Sequence, residues 1–171
     1  MLNKIYKKFF CRTNSKKIKY LRKLGVKIGG NCSLNNSLDD YSSEPYLISI
    51  GNDVTITSGV KLLTHDGGMR VLIKKGLIEK ADKFGKINIG NNVFVGLNTI
   101  IMPNVTIGDN VVVGAGSIVT KSLESNSVYA GNPAKYICSI EDYYEKNKDK
   151  VLFTRGLSPE EKKEIIIKEL K

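Results

Sequence analysis

A period of six residues is the feature that most restricts how this chain can fold. Divided into sixes from Ile89, the chain reads IGNNVF, VGLNTI, IMPNVT, IGDNVV, VGAGSI and VTKSLE. The same spacing is present from Ile50 (IGNDVT, ITSGVK, LLTHDG) and from Ile28 (IGGNCS, LNNSLD). Neither an α-helix nor a simple alternating strand has this period. The chain is therefore a repeat structure of another kind.

Each six-residue unit carries an aliphatic residue in first position and, most often, a small or β-branched residue in fifth position. The first positions are Ile28, Leu34, Ile50, Ile56, Leu62, Ile89, Val95, Ile101, Ile107, Val113 and Val119. The fifth positions are Cys32, Val54, Val60, Val93, Thr99, Val105, Val111 and Ser117. We expect both positions to face inward, separated by a turn, so that each unit forms one face of a coiled parallel β-sheet.

These hexads resemble those of the hexapeptide-repeat acyltransferases. The resemblance implies a mostly β fold, a left-handed parallel β-helix, in which three hexads make one triangular coil. Residues 89–106 and 107–124 then form two coils and residues 50–67 a third. The match covers about residues 28–138, and an earlier coil from Ile28 carries an insertion at 40–49.

The breaks in the repeat predict the domain organisation. Residues 1–27 form a basic N-terminal helical segment, and residues 28–138 form the β-helix with a loop at 68–86 that leaves it. A loop of this length is more often functional than idle. Residues 139–171 form a C-terminal helical segment, in which Ser158 is the expected N-cap of a short helix.

The net charge of +10 comes entirely from the N-terminal segment. Residues 1–27 contain ten Lys or Arg and no acid, whereas residues 28–140 and 141–171 are each balanced. A basic nucleic-acid-binding face on the body is therefore not expected. Two interpretations of the segment stay open. It is either a helix packed on the body or an amphipathic anchor to the cytoplasmic membrane face, with its apolar stripe at Leu2, Ile5, Tyr6, Phe9 and Phe10.

The cysteines and the apolar pattern indicate the compartment. Cys11, Cys32 and Cys138 are odd in number and scattered, which argues against a disulfide framework. No signal-peptide pattern and no apolar run of membrane-spanning length is present in the sequence. We expect a bacterial cytoplasmic protein, with peripheral membrane association as an open alternative.

The single histidine, His65, lies in the stretch LLTHDGG, where the hexads stop and the loop begins. Imidazole can act as a base near neutral pH without a large pKa shift. Asp66 is a candidate to orient the ring or to stabilise imidazolium, although another group could do so. One histidine is too few for the three-histidine zinc site of carbonic anhydrases on this kind of repeat, so no metal is expected.

The resemblance also implies a reaction. In this family a histidine beside a protruding loop is the general base on the acceptor, acetyl-CoA is the donor, and the enzyme is a homotrimer with sites between subunits. THDGG with the following loop is most similar to the branch that O-acetylates sugars of bacterial surface polysaccharides, such as capsule and O-antigen. A serine or amino-sugar acetyltransferase of the same fold, and a non-enzymatic scaffold, are the alternatives.

Further roles follow from the resemblance, position by position. Gly114 and Ala115 would lie along the pantetheine arm, and Thr120 and Lys121 near the adenosine. Lys135, in GNPAK, would meet a CoA phosphate. The backbone N–H of Leu97 would face the thioester and stabilise the oxyanion. Asn35 falls where some sugar acetyltransferases contact the acceptor.

Overall fold

The computed structural model describes residues 13–170. The predicted apolar stripe between Leu2 and Phe10 lies outside these residues. The chain divides into two compact units, one ending at Ile140 and the other covering Glu141–Lys171. The boundary predicted from the end of the hexads is 138/139.

The first unit is built from short β-strands in three sheets. The strands are β1 Lys27–Ile28, β2 Ser33–Leu34, β3 Ile48–Ile50, β4 Thr55–Ile56, β5 Lys61–Leu62, β6 Ile87–Ile89, β7 Val93–Val95, β8 Ile100–Ile101, β9 Val105–Ile107, β10 Val111–Val113, β11 Ile118–Val119, β12 Ser127–Ala130 and β13 Lys135–Ser139. Sheet A has the order β1-β3-β6-β9, sheet B β13-β12-β10-β7-β4-β2, and sheet C β11-β8-β5. Among the described strands, only the β12–β13 pair is antiparallel. The prediction of a mostly β fold with parallel pairing is confirmed.

The chain visits sheets A, B and C in rotation, and we call one such pass a coil. Ile87 in β6 pairs with Val105 in β9, 18 residues later. The same step relates Val93 to Val111 in sheet B and Ile100 to Ile118 in sheet C. Three hexads therefore separate each strand from its neighbour, as the period predicts.

The inward positions of the hexads form the hydrophobic core. Among the first positions, Ile56, Leu62, Val95, Ile101, Val113 and Val119 are fully buried, and only Ile28 is partly exposed. The eight fifth positions named above, from Cys32 to Ser117, are buried as well. The two inward positions thus alternate with turns, which explains why neither period 2 nor period 3.6 describes the sequence.

The fourth hexad position makes the turn. Asn31, Asp53, Asn92, Asn98, Asn104 and Asn110 all have φ between 52° and 63°. Asn and Asp enter this left-handed region at lower cost than other non-glycine residues. Their side chains also form a ladder: Asn92 donates to Asn110, and Asn110 to Asn126, each at 2.8 Å.

Two segments depart from the coils. Between β2 and β3, two 3₁₀ helices, Leu38–Tyr41 and Pro45–Leu47, occupy the place of a sheet C strand. Between β5 and β6, a loop containing helix α2 (Met69–Lys74) leaves the coils. An antiparallel bridge between His65 and Phe84 closes its root.

Helix α1 (Asn14–Lys23) covers the first edges of sheets A and B. Leu21 is fully buried beneath it. The Asn14 side chain donates to Cys32 O at 2.7 Å and accepts from Leu34 N at 2.9 Å. The Arg22 guanidinium donates to Ile28 O at 2.7 Å and to Gly29 O at 2.9 Å. These bonds use backbone groups that an uncovered edge would expose to other chains.

The second unit is helical. Helix α3 (Ile140–Asn147) is followed by a 3₁₀ turn and by helix α4 (Pro159–Glu169). Ser158 is the N-cap of α4 and forms a capping box with Glu161, as expected from the sequence. No helix within residues 13–170 is long and apolar enough to cross a membrane.

Glycines at the second hexad position stack in a column where successive coils nearly touch. A Cβ added at Gly51 would lie 2.5 Å from Gly90 O, and one added at Gly29 would lie 2.5 Å from Gly51 O. A Cβ at the neighbouring Gly30 would meet only the Asn52 side chain, at 3.6 Å. The column therefore requires glycine, whereas Gly30 does not.

We expect Gly51→Ala to lower the free energy of unfolding by about 1–3 kcal/mol, because the added methyl pushes two coils apart. The matched control Gly30→Ala should leave stability unchanged or raise it by about 0.4–1 kcal/mol. Thermal unfolding midpoints of the two variants check this. Equal midpoints would show that the coils are not in contact at Gly51.

Candidate active site

His65 is held at the point where the loop leaves sheet C. Thr64 beside it is fully buried. Leu63 N donates to Ile101 O at 2.9 Å, and Gly85 N donates to Thr64 O at 2.8 Å. The loop thus returns alongside the residues from which it departed. The backbone of His65 is therefore fixed from both sides, while the imidazole remains 43% exposed.

Glu44, from the insertion between β2 and β3, contacts the imidazole. Its Oε2 lies 3.0 Å from Nδ1 of His65 and accepts a hydrogen bond from Thr64 Oγ1 at 2.7 Å. The Ser42 hydroxyl lies 3.4 Å from the same ring nitrogen. A carboxylate at Nδ1 selects the tautomer with the proton on Nδ1, leaving the lone pair on Nε2.

A buried pair anchors the insertion that carries Glu44. Tyr41 is 1% exposed, and its hydroxyl donates to the Asn36 side-chain oxygen at 2.9 Å. Asn36 in turn donates to Val60 O at 3.0 Å. Burial raises the pKa of Tyr41, so its hydroxyl stays protonated as a donor. Glu44 is thus placed by packing rather than by a free loop.

Opposing effects act on the pKa of Glu44. Partial burial would raise it, but hydrogen bonds from Thr64 and His65, with the charge of His65, outweigh this and hold it below its ordinary value of 4.5. Glu44 is therefore ionised at neutral pH and can stabilise positive charge on the imidazole.

Two clefts meet at His65. One, of about 490 Å³, lies on the loop side and is lined by Glu44, Arg70 and Phe84 among others. The second, of about 540 Å³, lies on the α1 side and is lined by Tyr20, Leu24 and further residues of the insertion. Within residues 13–170, hydrogen bonds reach the ring only at Nδ1. Nε2 is available to a substrate.

Asp66, the sequence candidate for orienting the ring, makes its hydrogen bonds elsewhere. Its carboxylate accepts from Gly68 N at 2.9 Å and from Lys83 Nζ at 3.2 Å. The Gly68 and Lys83 bonds hold the pKa of Asp66 below its ordinary value. Asp66 follows His65 directly and turns into the loop, so it braces the loop root. The carboxylate that contacts the ring is that of Glu44.

The other predicted residues divide between the two ends of the sheet C strands. Leu97, Gly114 and Ala115 lie before β8 and β11, and Asn35 holds the equivalent place after β2. His65, Thr120 and Lys121 instead follow sheet C strands. Because the strands are parallel, the two groups lie at opposite ends, separated by about 20 Å for six to seven extended residues. A single chain does not bring them together.

The backbone amides of Leu97 and Ala115 remain available as donors. Within the described part of the chain, neither N–H is bonded, although the adjacent Gly96 N donates to Val113 O and Gly114 N to Tyr129 O, each at 2.8 Å. Gly96 O, in the same peptide as the Leu97 N–H, accepts from Thr99 N at 3.3 Å, and Gly114 O, in the same peptide as the Ala115 N–H, accepts from Ser117 Oγ at 2.6 Å, so both peptide planes are held. Such oriented donors suit a thioester oxygen or an amide carbonyl.

Lys135 begins β13, the antiparallel strand that ends sheet B, and is exposed. It lies opposite Ala130. Thr120 and Lys121 are exposed in the connection after β11. All three are accessible to a ligand running along the coils.

Comparison with known proteins places the chain in a family. Residues 86–121 match the family described as bacterial transferase hexapeptide (six repeats). The chain is 51% identical over 152 residues to protein CapG of Staphylococcus aureus, which covers 88% of this chain and 87% of CapG. It is 41% identical over 130 residues to galactoside O-acetyltransferase of Escherichia coli, covering 71% of this chain and 60% of that protein.

Solved structures agree. A maltose O-acetyltransferase from Clostridium difficile superposes with a TM-score of 0.58 at 26% identity, over 81% of this chain and 82% of that one. A hexapeptide-repeat acetyltransferase of Vibrio cholerae, in complex with acetyl-CoA, gives 0.56 at 25% identity, over 67% and 60%. The chain therefore belongs to the hexapeptide-repeat acyltransferases. It is an acetyl-CoA-dependent acyltransferase, as the sequence predicts.

The Glu44–His65 pair predicts a pH-dependent contribution to stability. The folded-state pKa of Glu44 is lowered, so its contribution is present above the ordinary value of 4.5 and is lost as pH falls through the folded-state pKa. Glu44→Gln should therefore destabilise the protein at pH 6 more than at about pH 3.5. Denaturant unfolding at both pH values measures this, and an equal difference at both would contradict it.

Proposed function

We propose that the protein transfers an acetyl group from acetyl-CoA to a hydroxyl of a sugar or surface-polysaccharide precursor in the bacterial cytoplasm. The observation that carries the proposal is the Glu44–His65 pair, whose open Nε2 faces clefts large enough for a sugar. The relatives named as galactoside and maltose O-acetyltransferases support a sugar hydroxyl as acceptor. They also support a left-handed β-helix as the finer description of the three sheets.

The reaction is a direct transfer with His65 as general base. Nε2 of neutral His65 takes the proton from the acceptor hydroxyl as its oxygen attacks the carbonyl carbon of the thioester. The tetrahedral oxyanion then collapses, the C–S bond breaks, and the imidazolium returns the proton to the departing sulfur. Ester and free CoA thiol are the products. Glu44 keeps the Nδ1 proton in place and stabilises the imidazolium between the two steps.

The opposite placement of His65 and the Leu97 amide supports a site shared by two copies of the chain. The oxyanion requires a donor within hydrogen-bond distance of the carbon attacked beside His65. Within one chain, the width of sheet C separates the two. In a closed threefold assembly, the end of sheet C that carries His65 can face the opposite end in the next copy. A homotrimer with three sites between subunits satisfies this requirement.

In such an assembly acetyl-CoA lies along the segments that join sheet B strands to sheet C strands in one copy. Leu97 N–H then binds the thioester oxygen, and Gly114 and Ala115 leave room for the pantetheine arm. Lys135 of that copy is accessible for the CoA phosphates, and Thr120 and Lys121, at the His65 end of sheet C, would contact the adenosine from the next copy. Asn35, on the same side of sheet C as Leu97, would contact the acceptor.

An amine acceptor, such as serine or an amino sugar, would use the same base. The discriminating observation is the acceptor profile, measured as released CoA thiol with neutral sugars, amino sugars and serine. A non-enzymatic scaffold is disfavoured by the Glu44–His65 pair, since a scaffold has no use for a carboxylate-oriented base.

We expect His65→Ala to lower kcat by about 10²–10⁴-fold, as loss of a general base does. Glu44→Gln should lower kcat by on the order of tenfold or more, because the ring loses its orienting carboxylate. Asp66→Asn is the matched control and should stay within about threefold, since Asp66 has no bond to the ring. Steady-state thiol release measures all three.

Binding of acetyl-CoA shows whether an inactive variant has lost only the chemical step or has also lost its binding site. Acetyl-CoA should raise the thermal midpoint of His65→Ala as it does that of the wild type, by mass action on the folded state. If neither protein shifts, the scaffold interpretation replaces the enzymatic one. If Asp66→Asn is impaired as strongly as Glu44→Gln, then Glu44 does not have the specific role assigned to it.

A mixed assembly tests the shared site. Ala115→Arg should block the donor path but leave His65 intact, whereas His65→Ala has the reverse defect. Each variant alone should be inactive, and co-expression should restore about a quarter of wild-type activity, since random threefold mixing leaves one complete site in most trimers. Absence of any recovery in co-purified mixed trimers would place both groups within one chain.

A further inference from the structure

Helix α1 packs on the body through one side only. Leu21 is fully buried on that side, whereas Lys16, Lys19 and Lys23 are exposed. At 100° per residue, these lysines lie within about 60° of one another, on the side opposite Leu21. We call them the lysine face. Helix α1 can therefore pack on the body and still bind a membrane, because packing leaves the lysine face uncovered.

In the described part of the chain, the lysine face has no neutralising partner. None of its three lysines forms an ion pair within residues 13–170. Lys19 and Lys23, with Arg22, line a groove of about 790 Å³ between α1 and the turn after β1, and none of the described residues that line it carries a carboxylate. Residues 1–12 add four Lys or Arg and no acidic residue. Mutual repulsion of this kind destabilises the fold unless an anionic partner relieves it.

Apolar side chains border the lysine face at the end of α1. Leu24 is 40% exposed and Tyr46 is 63% exposed. Tyr46 lies against the residue that follows Leu24, because a Cβ added at Gly25 would lie 2.8 Å from the Tyr46 Cβ. We call Leu24 and Tyr46 the apolar tip. Lysines beside an exposed aliphatic and a tyrosine are typical of surfaces that lie in the membrane interface.

We infer that the lysine face and the apolar tip together dock on an anionic lipid bilayer. The lysines bind lipid phosphates, and the tip enters the headgroup region. A nucleic acid or a soluble polyanion would satisfy the lysines but would leave the apolar tip without a partner. A bilayer surface accounts for both the lysine face and the apolar tip.

Docking would also bring one opening of the active site to the bilayer. Tyr20 and Leu24 line the second cleft at His65. An acceptor carried on a lipid could then reach the base from the membrane side. This consequence rests on the proposed function, whereas the docking itself does not.

Sedimentation of the full-length protein with vesicles tests docking. We expect binding to vesicles of equimolar phosphatidylcholine and phosphatidylglycerol, weakened by salt, and little binding to phosphatidylcholine alone. The triple variant Lys16→Gln, Lys19→Gln, Lys23→Gln should bind on the order of 100-fold more weakly. The matched control is Lys162→Gln, Lys163→Gln, Lys168→Gln, with the same charge change on exposed positions of α4, and it should bind as the wild type does.

A fluorescent reporter tests the apolar tip separately. The chain contains no tryptophan. Tyr46→Trp therefore introduces a single reporter, whose emission should shift to the blue with phosphatidylglycerol vesicles. Phe153→Trp, at a position 91% exposed in the second unit, is the control that should not shift.

Several outcomes would overturn docking. These are absence of wild-type binding, equal binding to both vesicle types, wild-type binding by the lysine variant, and no shift of the Tyr46→Trp emission. Binding to soluble polyphosphate without binding to vesicles would assign the lysine face to a soluble polyanion instead. Vesicle binding needs no acceptor, so its failure is distinguishable from failure of the proposed reaction.

Discussion

Parallel pairing of each strand with the strand one coil later is the constraint on which the rest of the structure depends. Ile87 lies beside Val105, and Val93 beside Val111, so each side chain packs against its own equivalent in the next coil. Inward positions must therefore repeat in shape, and close contacts must repeat as well. Asparagine ladders and glycine columns have the same origin, because a residue that fits one coil is the residue that fits the next.

The active site arises where this constraint is released. Between β2 and β3 the chain leaves the repeat and brings Glu44 out over the coil, and after β5 it leaves again at His65. Both departures begin from buried, hydrogen-bonded residues, Asn36 with Tyr41 in one case and Thr64 in the other. The repeat thus provides rigidity, and two interruptions, separate in sequence, provide His65, the proposed base, and the carboxylate that contacts its ring.

The hexad period was sufficient to predict the parallel sheets, the inward residues, and the loop at His65. This is because paired strands are three hexads, or 18 residues, apart. The partner of His65 was not predicted. Asp66 is adjacent in sequence, but its side chain turns to Gly68 and Lys83, and the contact comes from Glu44, 21 residues earlier. The insertion that carries Glu44 has no period, so its path over the coil depends on the Asn36–Tyr41 anchor, which sequence spacing does not show. One signal for this contact was available in the sequence. The insertion and the loop both interrupt the hexads at or just after the position of a sheet C strand, so they lie on the same side of the coils.

Sheet C also explains why the sequence positions of the predicted donor-binding residues look scattered. Within residues 13–170, residues before its strands present unbonded amides, at Leu97 and Ala115, while residues after its strands include His65, the proposed base. A repeat fold cannot bend one end of a sheet toward the other, since parallel pairing holds every strand at the same tilt. In the proposed reaction, His65 and the Leu97 amide meet only when the two ends of different chains are apposed, which a rotation between identical chains achieves without any change in the coil. The rigidity that positions His65 within one chain is therefore the reason for assigning the complete site to an assembly.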